Sequence, residues 1–506
     1  MKESFPHPLQ IMKSASLLSL AIVPAALLVV LAVLAAAGLA SADVTLPKVI
    51  GSGMVLQQGE PINLWGRADP GEVVTVTFDG TQAGTTADKD GRWLVRLDPR
   101  TADSKPRELK ISGRNEIVLS DILVGEVWLC SGQSNMNFPV GKTLHVDEEV
   151  SKAEHPAIRF FRMDKKAAAL PQDEGGSDWV ACSTDTVRSF SAVGYHFGEN
   201  LHQELKVPVG LILSAVDGVD IEPWTPLEGF EKVESLEKYA ARVRALTADV
   251  KVTPGTPAAL YNGMIHPFVP FTMRGVIWYQ GEWNCFKGDT AIYTDKTDAL
   301  ISGWRKVFGQ EDLSFYFVQI GPMDYSERHW GRKSRTLETL PRFWDAQRAC
   351  LGTIPKCGMA VITDISGGPD RLHPANKRDV GHRLALWALA HDYGRRNLVF
   401  SGPLYTSMSV EGDKVILKFD HAGGGLKSLD GGELVQFLIA GEDGTFVAAQ
   451  AEIKGDAVEV RSPAVSHPVA VRYAWHETAV GNLGNKEGLP ASPFRTDDWE
   501  VGDSKQ

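Results

Sequence analysis

The sequence predicts an α/β protein built on a mostly parallel β-sheet with helices on both faces, flanked by two β-rich segments. Three observations predict it. Between 119 and 395, strand-like runs at 122–130, 158–162, 209–214, 275–280, 315–321 and 358–364 alternate with helical patterns at 191–205, 231–247, 291–307, 336–351 and 375–392. Before that region, short runs such as Val73-Val74-Thr75-Val76-Thr77-Phe78 and Trp93-Leu94-Val95-Arg96-Leu97 are separated by turns at Asp69-Pro70-Gly71, Asp79-Gly80 and Lys89-Asp90-Gly91. After it, Val415-Ile416-Leu417-Lys418-Phe419 and Ala470-Val471-Arg472-Tyr473-Ala474-Trp475 are strands separated by Gly-rich turns.

In chain order, residues 1–42 have the pattern of a signal peptide. Lys2 and Lys13 supply a positive start, Leu17 to Leu39 is almost wholly apolar, and Ala40-Ser41-Ala42 is a small-residue cleavage site. Cleavage would export the rest to the periplasm or the exterior; retention would leave a membrane anchor, since the apolar run can span a bilayer. Residues 43–118 form a β-domain resembling a small sandwich. Residues 119–395 form the α/β domain, in which Gly275-Val276-Ile277-Trp278-Tyr279-Gln280 is as apolar as a central parallel strand must be. Residues 396–506 form a second β-domain.

Composition narrows the function. A formal charge of −11 argues against a nucleic-acid or anionic-membrane partner. The five cysteines, at 130, 182, 285, 350 and 357, match no zinc spacing and have no histidines clustered with them. No metal or organic cofactor is expected. Cys350 and Cys357 flank a turn-like stretch and could pair in an exported protein.

The chemistry-bearing residues follow predicted strands. Gly132-Gln133-Ser134-Asn135-Met136 comes directly after the first apolar run, which presents Ser134 at the carboxyl end of a strand, where open α/β sheets place their sites. Asp370-Arg371-Leu372-His373 brings a carboxylate and an imidazole far downstream. A serine hydroxyl is too weak an acid to attack an ester unaided; an imidazole must take its proton, and a carboxylate must hold that imidazole in the right tautomer. Ser134, His373 and Asp370 are therefore the candidate catalytic residues, with Asp364 the alternative acid.

Attack would create an oxyanion needing preorganised N–H donors. The candidates are the Ser134 N–H, Gly218 after the strand 209–214, and the amides of Gln280 and Asn284 after the strand 275–280. Trp224, Trp278, Tyr279 and Trp283 lie nearby in sequence and could stack on a sugar, although for Trp278 and Tyr279, inside a strand, core packing is the simpler reading. Asp217, beside Gly218, should border the same pocket.

The segments Gly125-Glu126-Val127-Trp128-Leu129-Cys130-Ser131-Gly132-Gln133-Ser134-Asn135-Met136, Trp278-Tyr279-Gln280-Gly281-Glu282 and His373-Pro374 resemble those of the sialate O-acetylesterases and related carbohydrate acetylesterases of the SGNH (GDSL-like) hydrolase superfamily. Tyr261-Asn262-Gly263-Met264-Ile265-His266-Pro267 and the stretch from Ala479-Val480-Gly481-Asn482 to Phe494-Arg495-Thr496 extend the resemblance over nearly all of the chain after residue 42. It implies a three-layer α/β/α hydrolase domain with accessory β-domains, Ser134 as nucleophile, His373 as general base, and an acetylated carbohydrate as substrate. Ser134, Gly218 and the Gln280–Asn284 segment match its oxyanion blocks, and Asp370 has its Asp-x-x-His spacing. Two positions depart from the family pattern. Val216-Asp217-Gly218-Val219 stands where Trp-Gly-Gly-Thr is usual, and Trp283 stands where serine is usual. Both fall at the expected substrate edge, so they bear on which sugar is bound more than on the chemistry.

Overall fold

The computed structural model describes residues 43–328, 335–368 and 370–499. The expected signal peptide lies outside the described residues. Among those described, no helix is long and apolar enough to cross a membrane.

Thirteen strands run from the start of the described chain to the end of the α/β region: β1 (Val55–Gln57), β2 (Ile62–Arg67), β3 (Val73–Phe78), β4 (Thr81–Thr86), β5 (Arg92–Leu97), β6 (Asp103–Ser112), β7 (Glu116–Gly132), β8 (His155–Arg162), β9 (Val180–Cys182), β10 (Val209–Ala215), β11 (Gly275–Tyr279), β12 (Ser314–Val318) and β13 (Cys357–Ala360). The central sheet has the order β13-β12-β11-β7-β10-β8-β9. Every pair in it is parallel except β8 with β9. β10, β11 and β12 are buried along their whole length, as strands covered on both faces should be.

β7 ties the N-terminal β region to this sheet. Its first half pairs with β1 and β6, and its second half runs between β10 and β11. The expected boundary at 118/119 thus falls inside one continuous strand. From β7 the chain goes first to one side, to β8 and then β10, and later to the other, to β11. The strand order therefore reverses at the carboxyl end of β7, and a crevice opens where neighbouring connections leave in opposite directions.

The helices Ala192–Leu205, Tyr293–Phe308, Thr339–Thr353 and Lys377–His391 cover the sheet. Side chains cap two of them at the amino end: Ser191 Oγ accepts from Gly194 N at 3.0 Å, and Asn376 Oδ1 accepts from Asp379 N at 3.2 Å. The helical pattern read at 231–247 is broken in two, at Leu227–Lys232 and Glu237–Arg244. After residue 400 the chain forms antiparallel sheets, one of them ordered Leu404–Glu411, Lys414–Asp420, Ala457–Arg461, Gln450–Lys454. They enclose a separate core around Val415, Ile439, Val458 and Phe494. All five cysteines are free, and Cys357 Sγ lies 3.3 Å from the Cys350 carbonyl rather than bonded to its sulfur.

Register sets the height of the sheet edge. Gly132 lies opposite Ala215 of β10 and Tyr279 of β11, so three strands end level. The chain closes tightly there: Gln133 N donates to the Tyr279 carbonyl at 2.9 Å, and Val216 N to the Gly132 carbonyl at 3.2 Å. Gly132 has φ +134°, and a Cβ on it would sit 2.2 Å from the Tyr279 oxygen. Gly132→Ala should therefore cost about 3 kcal/mol or more of stability, from backbone strain plus the clash. Gly352→Ala, at an open position in the helix Thr339–Thr353, should be neutral or stabilising. Urea denaturation of both variants checks this; equal midpoints would contradict it.

Candidate active site

Ser134 is the first residue of a single helical turn, Ser134–Asn137, that begins two residues after β7 ends. The turn places the hydroxyl at the switch point, half-buried. His373 lies in the connection between β13 and the helix Lys377–His391. Its Nε2 is 2.8 Å from Ser134 Oγ. In that geometry the hydroxyl donates to a neutral ring whose proton sits on Nδ1. His373 is pushed below its ordinary value, first by the protein packed around it, although its outer edge is exposed, and next by the cation of Lys377; Asp217 opposes them. A neutral imidazole bonded to a serine hydroxyl is a general base ready to work.

Asp370, expected from its spacing to orient His373, is not brought to the ring. It is exposed, its carboxylate turns towards Gly368, and its carbonyl accepts from Arg328 Nη2 at 3.1 Å. Residues three apart on an irregular turn need not share a direction. The alternative, Asp364, is engaged by Arg383 in two hydrogen bonds of 2.6 Å. Among the described residues, no carboxylate hydrogen-bonds to His373.

The oxyanion candidates separate into two groups. Ser134 N–H and Gly218 N–H have no protein acceptor among the described residues, and Gly218 is exposed at the sheet edge with φ +65°. Gln280 and Asn284 were expected to aim amide N–H groups at the same place, and they do not. Gln280 Nε2 donates to the Val219 carbonyl at 3.1 Å and to Asn284 Oδ1 at 2.7 Å. Asn284 Nδ2 donates to Glu222 Oε2 at 3.1 Å and to Asp289 Oδ2 at 3.3 Å, and its Oδ1 accepts from Ile221 N at 3.1 Å. Both amides are fully buried with their donors committed. They brace Val219 and Ile221, and so hold the turn that carries Gly218.

The expected substrate contacts also divide. Trp224 is wholly buried and crosses Trp278 edge to face at 6.2 Å, while its carbonyl accepts from Trp304 Nε1 at 2.8 Å. It is a core residue, because the short turn Glu222–Trp224 tucks its ring under the helix Tyr293–Phe308. Trp283 is only partly buried and meets Phe286 at 6.1 Å. Asp217 is exposed, held by Asn137 Nδ2 and Lys165 Nζ at 3.0 Å each, and close enough to His373 to favour its charged form.

Three residues that the sequence did not single out stand directly behind the pair: Asn135, Glu282 and Lys377, all buried. Asn135 Nδ2 donates to Glu282 Oε1 at 2.5 Å and to the Leu372 carbonyl at 3.0 Å, and Lys377 Nζ donates to Asn135 Oδ1 at 2.5 Å. Asn135 and Glu282 lie within the Ser134 and Gln280 motifs, which was the available signal. Lys377 gave none, since a lysine in a helical pattern is ordinarily a surface residue.

If no carboxylate governs the His373 tautomer, Asp370→Asn should lower kcat by less than about tenfold, measured on a small acetate ester. A loss of about 10²–10⁴, the range for removing an orienting carboxylate, would contradict the observed placement.

The profile of the carbohydrate esterase family of sialic acid-specific acetylesterases matches residues 124–389, a stretch that includes Ser134 and His373. The chain is 31% identical over 405 residues to the human sialate O-acetylesterase, covering 74% of this chain and 75% of that protein. It is 30% identical over 404 residues to the sialate O-acetylesterase of Pongo abelii, with the same shares covered. Among solved structures, a carbohydrate acetylesterase from Xanthomonas citri superposes with a TM-score of 0.81 at 39% identity, over 90% of this chain and 100% of that one. The chain belongs to the carbohydrate esterase family of sialic acid-specific acetylesterases.

Proposed function

We propose that this protein is an exported serine esterase that removes O-acetyl groups from carbohydrate through an acetyl-enzyme. The observation that carries the reading is the 2.8 Å contact of Ser134 Oγ with His373 Nε2 at the strand-order switch point of a chain in this family.

In this reading His373 Nε2 takes the Ser134 proton as Oγ attacks the acetyl carbonyl. The tetrahedral oxyanion is met by the Ser134 and Gly218 N–H groups, held in place before the reaction. His373 then passes its proton to the departing sugar oxygen, leaving acetyl on Ser134 and a free sugar hydroxyl. Water attacks the acetyl carbonyl with His373 again as base, releasing acetate and restoring the serine. Asp217, which is near His373 and paired with Lys165, and the half-exposed Trp283 would meet the sugar. Sialate esters are the substrates named for the human and Pongo abelii relatives; acetylxylan or another acetylated polysaccharide is the alternative. Acetate release across such a panel identifies the sugar.

Ser134→Ala should fold normally and lose on the order of 10⁴ or more in kcat. Near-normal turnover in the folded variant would overturn the serine mechanism and leave carbohydrate binding without catalysis as the rival. Trp283→Ser should raise KM for an acetylated glycan about tenfold, through loss of a stacking contact of roughly 1–1.5 kcal/mol. It should leave hydrolysis of a small activated acetate nearly unchanged; equal losses on both substrates would make Trp283 a structural support instead.

A further inference from the structure

We propose that Lys377 is a positioning residue for the reaction: through Asn135 it joins the turn carrying Ser134 to the loop carrying His373, and it holds a positive charge behind the imidazole. The inference rests on the Ser134–His373 reading above and concerns how that pair is held and tuned.

Lys377 sits where a lysine is costly. Its side chain is wholly buried, although charged residues are rarely buried unless paired. It is also the first residue of the helix Lys377–His391, whose amino end disfavours a cation. What surrounds it offsets part of that cost. Nζ donates to Asn135 Oδ1 at 2.5 Å and lies 4.8 Å from the Tyr279 ring centroid and 5.2 Å from that of Phe138, distances at which aromatic faces attract a cation. Glu282 supplies the opposite charge through Asn135.

The network reaches each part of the active site by a different element. Asn135 follows the nucleophile, Glu282 begins the helix after β11, and Leu372, whose carbonyl Asn135 holds, precedes His373. Lys377 fixes the orientation of the Asn135 amide. An ammonium bonded to Oδ1 leaves Nδ2 as the end that must face Glu282 and Leu372. One lysine thereby sets the spacing between Ser134 and His373 without touching substrate.

Its charge has a second effect. The ionisable groups that face His373 are Lys377, Asp217 and Lys142; those that face Lys377 are Glu282 and, through its ring, Tyr279. Lys377 disfavours the imidazolium, and Asp217 favours it. Burial brings Lys377 itself down to about 7, so it carries its charge in the acid range where His373, held below its ordinary value, titrates. Activity requires neutral His373, so it is lost as pH falls through the histidine's pKa. Removing the lysine charge should raise that pKa and move the acid limb of the kcat/KM profile upward.

Two variants test this on a small acetate ester. Lys377→Met removes charge and hydrogen bond together; kcat should fall about tenfold to a hundredfold, KM should change little, and the acid limb should move up by about half a pH unit or more. Lys377→Gln keeps an N–H for Asn135 but no charge; it should recover most of the lost kcat while keeping the raised limb. A folded Lys377→Met with unchanged kcat would overturn the positioning role, and an unmoved limb in either variant would overturn the charge effect. A loss of kcat that Lys377→Gln does not recover would make Lys377 a packing residue only. The outcome is separable from the serine reading, which Ser134→Ala tests independently: that reading fails if the folded variant remains active.

Discussion

The contact between Ser134 and His373 depends on three parallel strands ending at one level. Gly132, Ala215 and Tyr279 stand side by side in register, and the backbone hydrogen bonds beyond them close the edge before any loop begins. Each strand then releases a short connection into the same crevice: the turn with Ser134, the turn with Gly218, and the helix that begins at Glu282. A slip of one residue in β7 would send Gly132 to the wrong face and the serine with it. The small residue at that point and the all-buried strands around it are two expressions of one requirement.

Polar side chains behind the edge convert this alignment into a fixed site. Gln280 and Asn284 hold the 219–221 backbone, and Asn135 holds the Leu372 carbonyl, so the Ser134 turn, the glycine turn and the histidine loop are each pinned from inside the protein. The segment after residue 400 adds a further tie. Glu477 is buried and its carboxylate accepts from Ser326 N at 2.9 Å; its carbonyl accepts from Met323 N, and its N–H donates to the Leu337 carbonyl. Two residues beyond Ser326, Arg328 holds the Asp370 carbonyl in the loop that carries His373. The C-terminal β region is thus tied to the loop that carries His373, although none of its described residues hydrogen-bonds to Ser134 or His373.

Strand positions and the location of the site were legible in the sequence because they follow from local rules. A strand covered on both faces must be apolar throughout, and ligand sites in open α/β sheets collect at carboxyl ends. Side-chain direction was not legible. Gln280 and Asn284 occupy the expected segment, but an amide serves a carbonyl as readily as an oxyanion, and only the folded neighbours decide. Trp224 and Trp283 look alike in sequence; one is wholly buried and the other is half-exposed. Asp370 has the right spacing and the wrong direction, because a turn without regular dihedrals carries no periodicity. Lys377 was invisible for the opposite reason: its helical setting is ordinary, and its burial comes from Tyr279, Phe138 and Asn135, which are far away in the chain.

The most direct measurement is the identity of the acylated residue. The protein would be mixed with an excess of a small activated acetate, quenched in acid during turnover, digested, and read by peptide mass spectrometry. The account predicts one acetyl group, on the hydroxyl of Ser134, that disappears when the ester is exhausted. Sustained turnover with Ser134 unmodified, or with the transient acetyl group on another residue, would contradict it.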